Sequence, residues 1–250
     1  MTVPVWETIR GFAWSASPSR RVDESLASQP PLSRIDNQMD GQTLFVVGSA
    51  MAERLLDYQK RVRKKRRKPK RITIDLDATD DATHGQQVFS FFHGHYRHNC
   101  FLPLLGFISF DDEAEKYLVA SMLRAGDASP TRNAAGLIRR LVHAVWQRWP
   151  KAKSRVRLDG GFVAPDIVDL LEALGVEFAV AIASNDRLDK LADPSLKRAQ
   201  QLFKRDQQTW QVFDAFEYQA HSWSRARRVV QRRKWCIIPA KRRATTCGSW

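Results

Sequence analysis

The sequence predicts an α/β domain, a mixed sheet flanked by helices, with a basic linker before it and a basic, poorly ordered tail after it. Ile72 to Asp77 and Val176 to Ile182 alternate apolar and polar residues at a period of two, which sends successive side chains to opposite faces of a strand. Leu137, Ile138, Leu141, Val142, Val145, Trp146 and Trp149 instead recur as one helical stripe. From residue 72 onward strand-like and helix-like segments succeed one another across short polar breaks, the pattern of one layered domain.

Before Thr43 the chain is unpatterned, with Trp6, Phe12 and Trp14 scattered among Ser, Pro and Arg, and 1–43 reads as a poorly structured N-terminal segment. Leu44, Val47, Met51, Leu55 and Tyr58 predict an amphipathic helix, after which a basic linker ends near Pro69, so that 44–71 form helix plus linker. The strand from Ile72 sends Ile72, Ile74 and Leu76 to one face and Thr73, Asp75 and Asp77 to the other. Leu102–Phe110 and Lys116–Leu123, split by Asp111, Asp112 and Glu113, read as a hairpin, giving three consecutive antiparallel strands. Ser129-Pro130 supplies a helix start, because Ser caps and Pro suits the first helical position, and Pro150 stops that helix. Arg155–Leu158 forms a short strand that ends in Asp159 and the flexible pair Gly160-Gly161. A helix from Pro165 to Leu174 stops at Gly175; after the strand of Val176, Phe178, Val180 and Ile182, Asn185 caps a helix running to about Phe203. The order β-β-β-α-β-α-β-α is that of an RNase H-like domain, placed at 72–230. From Gln231 no periodicity remains, and 231–250 is set apart as an aberrant basic tail.

The formal charge of +14 is unevenly spread: Lys60–Arg71 holds ten basic residues and Tyr218–Trp250 nine. Without those 19 the remaining 22 Lys and Arg face 27 acids, a balance of −5. A mildly acidic body with two basic attachments suits a polyanionic partner that exchanges condensed counterions for Lys and Arg. Cys100, Cys236 and Cys247 are odd in number and form no C-x-x-C pair, which argues against a disulfide framework and for a reducing compartment. The longest apolar run, near Phe101–Phe110, is about half of the roughly 20 residues a spanning helix needs, so no membrane segment is expected.

Asp77 and Asp159 both end a predicted strand, where open α/β sheets place their ligands. If the strands are neighbours, the two carboxylates meet, and Mg²⁺ needs one or two carboxylates with water and phosphate oxygens around them. His93, His95 and His98 with Cys100 have spacings that Zn²⁺ could use, but packing between two strands is the favoured reading without a second ligand pair. Trp146 and Trp149 share the apolar helix stripe and are read as core.

D-L-D-A-T-D-D-A-T-H-G-Q-Q at Asp75–Gln87, F-F-H-G-H-Y at Phe91–Tyr96 and R-L-D-G-G-F at Arg157–Phe162 resemble insertion-sequence transposases of the DDE class. L-A-S-Q-P-P-L-S-R at Leu26–Arg34 and the His221–Val230 segment resemble that family too, so the likeness extends from Leu26 to Val230. It implies an RNase H-like core that uses Mg²⁺ or Mn²⁺ to cleave and join transposon ends, with terminal-repeat and target DNA as partners, self-association on DNA, and a bacterial cytoplasmic, nucleoid-associated location. Asp77 resembles the family's first catalytic, metal-binding aspartate and Asp159 its second. Asp75, Asp80 and Asp81 stay open as rivals for the first position, and Asp75, Asp80, His84, Gln86 and Gln87 are expected around the site or against DNA. Lys64, Lys65, Arg66, Arg67 and Lys68 in the linker, with Arg225, Arg227 and Arg228 near the tail, are expected to grip phosphates. The family's third ligand is a glutamate on a helix well beyond the second aspartate, and nothing after Glu217 is acidic. The expectation is therefore an incomplete ligand set, with the tail reading as the product of a shifted frame. A DNA-binding relic without catalysis and a metal-dependent nuclease are the rival functions.

Overall fold

The computed structural model describes residues 40–64 and 68–235, the side chain of Trp235 excepted. The chain divides into two compact units at Val46/Val47. In the first, the Asp40 carboxylate accepts the Thr43 N–H at 2.7 Å and so caps the start of helix α1 (Gly41–Lys64). The second unit holds the rest of α1 and all the elements that follow.

Its centre is a five-stranded mixed sheet built from β1 (Arg71–Ala78), β5 (Leu104–Phe110), β6 (Tyr117–Met122), β7 (Lys153–Leu158) and β8 (Glu177–Val180). The spatial order is β6-β5-β1-β7-β8. β1, β5 and β6 pair antiparallel, whereas β1–β7 and β7–β8 are parallel. The chain thus builds one side of β1, then crosses back to build the other, which is the RNase H-like arrangement expected. Ile72, Ile74 and Leu76 of β1 are buried, and helix α2 (Ala134–Arg148) lies against β1 and β7. Leu137, Ile138, Leu141, Val142 and Val145 of α2 join one core with Ile167 and Leu171 of α3 (Pro165–Ala173). Among the described residues no helix is long and apolar enough to cross a membrane.

α1 departs from its expected face. Ala52, Leu56, Gln59 and Arg63 are the buried residues, while Val47, Met51 and Tyr58 are exposed and Leu55 only grazes the core. The i, i+4, i+7, i+11 row wins because small Ala52 permits close approach and Arg63 finds partners: its guanidinium lies 3.8 Å from the Phe110 ring centroid and meets Glu113 at 2.5 Å. The helix also runs through Lys64, so the first part of the basic run is helical rather than linker.

The helix expected at Ser129-Pro130 begins instead at Ala134, after turns that end at Asn133, whose backbone is left-handed (φ 67°) and whose side chain makes no capping hydrogen bond. Buried Arg124 explains the delay. It donates to the carbonyls of Ser129, Pro130 and Arg132 at 3.2, 3.0 and 2.9 Å, and those oxygens are therefore bound outside any helix ladder.

Two further elements lack a sequence period that announces them. Short strands β2 (Asp81–Ala82), β3 (Phe91–His93) and β4 (His98–Phe101) form a second sheet ordered β2-β4-β3. After α4 (Asp186–Asp206), whose first amides from Arg187 and Leu188 are capped by Asn185 Oδ1, strands β9 (Trp210–Tyr218) and β10 (Arg227–Trp235) make a two-stranded ribbon packed on that helix. β10 continues past the boundary drawn at Val230: Gln231–Trp235 pair in register with Trp210–Asp214, so the strand's hydrogen bonds and not its apolar pattern define it. Residues 236–250, which carry the rest of the expected tail, and 1–39 lie outside the described residues.

The ribbon is latched to α3 by charge. Arg227, only 7% exposed, meets Glu172 at 2.9 Å and Asp169 at 2.5 Å, and Arg225 meets Glu172 at 2.7 Å. The Arg227 hydrogen bonds, with Arg225 behind them, hold the Glu172 carboxyl down to about 2, against an ordinary 4.5. A depressed carboxylate stabilises the fold fully above its unfolded value and loses that contribution as pH falls from about 4.5 toward 2. Wild type is therefore expected to lose Tm more steeply across that window than Glu172→Gln, by the equivalent of about 1–2 kcal/mol after solvent screening. Parallel acid-melting curves for the two proteins would rule the latch out as the source.

Candidate active site

β1 and β7 run side by side in strict parallel register, Arg71 beside Lys153 through Leu76 beside Leu158. The residue after the last pair of this register is an aspartate on each side, Asp77 next to the last residue of β1 and Asp159 just past the end of β7. They stand where the chain switches from building one side of β1 to the other, the crevice in which open sheets bind ligands. Asp159 leaves its strand as the cap of a short 3₁₀ turn (Gly160–Phe162), accepting the Gly161 N–H at 2.9 Å, and fully buried Phe162 anchors that turn in the core. Gly161 fits closely there: a Cβ would lie 3.1 Å from the Pro130 ring and 3.2 Å from the Asp159 carboxylate, so a larger residue would make those side chains give by a few tenths of an ångström.

Asp75 and Asp77 share a strand face but not an environment. Burial alone would raise Asp75; two hydrogen bonds from Arg157 at 2.6 Å each, with Lys116 at 3.3 Å, outweigh it and leave its pKa below the usual carboxylate value. Asp77 forms no ion pair among the described residues. Surrounding protein strips part of its hydration and Asp159 adds a like charge, and together these push its pKa up against the weaker pull of Lys116 and the Ala78 amide. Asp80 is taken by His98 Nε2 at 2.8 Å, and Asp81 is exposed in β2. His84 and Gln86 are exposed between β2 and β3, and among the described residues no interaction joins either to Asp77 or Asp159.

In the sequence Tyr96 is marked only by the F-F-H-G-H-Y motif. Its hydroxyl donates to the Ala78 carbonyl at 3.3 Å, next to Asp77, and burial followed by the charges of Asp80, Asp77 and Asp159 raises its pKa. His93, His95 and His98 pack round its ring at centroid distances of 4.9, 5.0 and 6.1 Å. These histidines and buried Cys100 thus serve the β3–β4 hairpin, in which His93 pairs with His98. Among the described residues no three His, Cys, Asp or Glu side chains group closely enough to hold a metal, and several later acids are engaged elsewhere: Glu177 with Arg155, Asp189 with Ser184 and Arg233, Asp206 with Trp210. Arg157 carries a signal in the sequence: it precedes Asp159 by two as Asp75 precedes Asp77, and the β1–β7 register sets it beside Asp75.

Of the residues expected to grip phosphate, Lys64, Lys68 and Arg228 are exposed. Lys65, Arg66 and Arg67 lie outside the described residues. Arg225 is exposed and pairs with Glu172 of α3, whereas Arg227 turns onto Asp169 and Glu172 and is too buried to meet a phosphate.

A sequence model of the transposase DDE domain, group 1, matches residues 12–238, a range that starts upstream of Leu26 and ends beyond Val230. No curated protein matches the chain. Solved structures that resemble it include the Mos1 transposase paired-end complex with left transposon end (15% identity, 70% of this chain and 48% of that one, TM-score 0.28). Another is the catalytic domain of Mos1 mariner transposase (12% identity, 68% and 74%, TM-score 0.29). A third is the simian T-cell lymphotropic virus intasome in complex with PP2A regulatory subunit B56 gamma (13% identity, 56% and 43%, TM-score 0.26). The chain spans about half the length of the first of these.

Proposed function

Because the chain belongs to the transposase DDE domain family, group 1, we propose that it carries out divalent-metal-dependent cleavage and transfer of DNA strands at transposon ends, with Asp77 and Asp159 as its metal-binding pair. The observation that supports this reading is the parallel β1–β7 register, whose last pair, Leu76 beside Leu158, is followed by Asp77 and Asp159, two carboxylates near enough to repel each other. The pair fits a hard cation chemically: Asp77 is crowded by a like charge and joins no ion pair among the described residues, while Asp75 two positions away is saturated by Arg157 and Lys116. When bound there, Mg²⁺ or Mn²⁺ would supply Lewis-acid activation of an attacking water or 3′-hydroxyl and stabilise the leaving oxygen. The protein's share is positioning. The Gly161 amide orients Asp159, Tyr96 ties down the Ala78 carbonyl beside Asp77, and Arg157 keeps Asp75 in an ion pair and so out of the ligand set. Exposed Lys64, Lys68 and Arg228 offer phosphate contacts that add affinity without sequence choice.

A second reading, DNA binding without cleavage, is favoured by one observation: no third carboxylate joins the pair among the described residues. One assay separates the two. Purified protein with Mg²⁺ or Mn²⁺ is expected to nick terminal-repeat DNA, and Asp159→Asn is expected to lower that rate by about 10³-fold, roughly 4 kcal/mol of barrier. Salt-sensitive binding with no nicking by wild type would favour the second reading, and undiminished nicking by Asp159→Asn would remove Asp159 from the site.

A further inference from the structure

The β9–β10 ribbon has two unlike faces. Every second residue of β10 turns inward: Arg227 onto Asp169 and Glu172, Val229 against the Leu188, Tyr218 and Trp223 cluster, Gln231 onto Ser195 at 3.2 Å and Arg233 onto Asp189 at 2.8 Å. A period of two then sends Arg228, Val230, Arg232 and Lys234 outward, and all four are exposed. The register sets Glu217, Ala215, Phe213 and Gln211 opposite them, also exposed, with Phe213 at 65% and Val230 at 60%. The outer face therefore carries three cations and one acid around a small apolar centre.

We propose that this outer face of the ribbon packs against duplex DNA at the major groove, with Arg228 and Lys234 on phosphates at its two ends and Phe213, Ala215 and Val230 toward the groove floor. The inference rests on the transposase reading, which makes DNA the substrate, and adds the element that holds it. A two-stranded ribbon is one of the few shapes the major groove admits. The six steps from Arg228 to Lys234 extend about 20 Å at strand rise, more than the groove's width of about 12 Å, so cations at both ends reach its phosphate walls. Apolar side chains between them suit thymine methyl groups. Charge also selects the partner: two copies of this face brought together would oppose cation to cation, whereas a polyanion neutralises both ends.

The test is binding of the full chain to a fluorescent 30-base-pair duplex, with affinity followed against salt. Arg228→Gln/Lys234→Gln should reduce the slope of log affinity against log salt by about 2 and weaken binding roughly 10- to 100-fold at moderate salt, since each phosphate contact contributes about 0.9 to the slope. Arg139→Gln/Lys151→Gln, which removes two exposed cations away from the ribbon, should leave the slope unchanged, and Arg228→Lys should restore most of it. Equal losses from the ribbon and control variants, or none from either, overturn the proposal. So does a wild-type dimer that Phe213→Ser converts to monomer while DNA binding is unaffected by the ribbon variants. Asp77→Asn and Asp159→Asn should still bind DNA. If wild type shows no salt-sensitive binding, the transposase reading falls with the ribbon; if binding is present but indifferent to Arg228 and Lys234, the ribbon assignment alone falls.

Discussion

Asp75→Asn and Asp77→Asn, two positions apart on one strand face, are expected to fail in opposite ways. Asp75 is largely covered, its side chain 14% exposed, and carries a bidentate pair with Arg157 plus Lys116. Neutralising it leaves Arg157 without its partner and should lower stability by about 1–2 kcal/mol, since breaking a part-buried pair exposes the survivor's desolvation penalty. For a domain of this size that is a Tm drop of several degrees at roughly 2–4 °C per kcal/mol. Nicking by the surviving fold should stay within about tenfold of wild type, because no reacting group is removed. Asp77→Asn removes a carboxylate whose ionisation is already disfavoured by lost hydration and by Asp159. Its Tm should hold or rise, yet nicking should fall by about 10³-fold. Metal linkage supplies an independent readout: a ligand that binds only the folded state raises Tm in proportion to the logarithm of its concentration. Mn²⁺ should therefore raise the Tm of wild type and of Asp75→Asn but not of Asp77→Asn. The reverse pattern would move the first ligand from Asp77 to Asp75.

That contrast marks where sequence reading succeeds and where it stops. The five strands of the main sheet and helices α2 to α4 were legible because period and punctuation agree along each segment, and Asp77 and Asp159 stood out because both end a strand. What local pattern cannot contain is pairing at a distance. Arg227 looks like Arg228 in sequence, yet Asp169 and Glu172, more than 50 positions earlier, turn it inward. Arg124 likewise takes three carbonyls from the turn where Ser129-Pro130 promised a helix. The α1 face differs for a related reason: a helix with apolar residues on more than one side is oriented by its neighbours, here by the core that takes in Ala52 and Leu56 and by the Phe110 ring under Arg63. The second sheet has strands of two to four residues, too short for any period to show.

The largest loss of stability from a single methyl group is expected at Gly126. An ideal Cβ there would stand 2.0 Å from the Cys100 carbonyl oxygen and 2.8 and 2.9 Å from the Phe91 oxygen and nitrogen, all backbone atoms that no rotamer change can move. The position is closed because the segment after β6 runs tightly under the second sheet: the Gly126 N–H donates to Phe89 O at 3.1 Å, and the Arg124 carbonyl accepts from Leu102 at 3.0 Å. Gly126→Ala must therefore push this segment away from β3 and β4 or fail to fold, an effect of about 3 kcal/mol or more, at or above the top of the usual overpacking range because backbone atoms are what must move. Gly136, in α2 with nothing within 4 Å of its would-be Cβ, provides the opposite case. Gly136→Ala should stabilise by about 0.5–1 kcal/mol through helix propensity and a less free unfolded chain. The functional consequence follows the same path. β3 and β4 bracket Tyr96 and carry His98, which engage Ala78 and Asp80, so loosening the sheet loosens the end of β1 that presents Asp77. Gly126→Ala should show early amide exchange in β3 and β4 and reduced nicking even at temperatures where the main sheet persists. A Tm within a degree of wild type would mean that the segment can shift freely and that the second sheet is not what holds Asp77 in place.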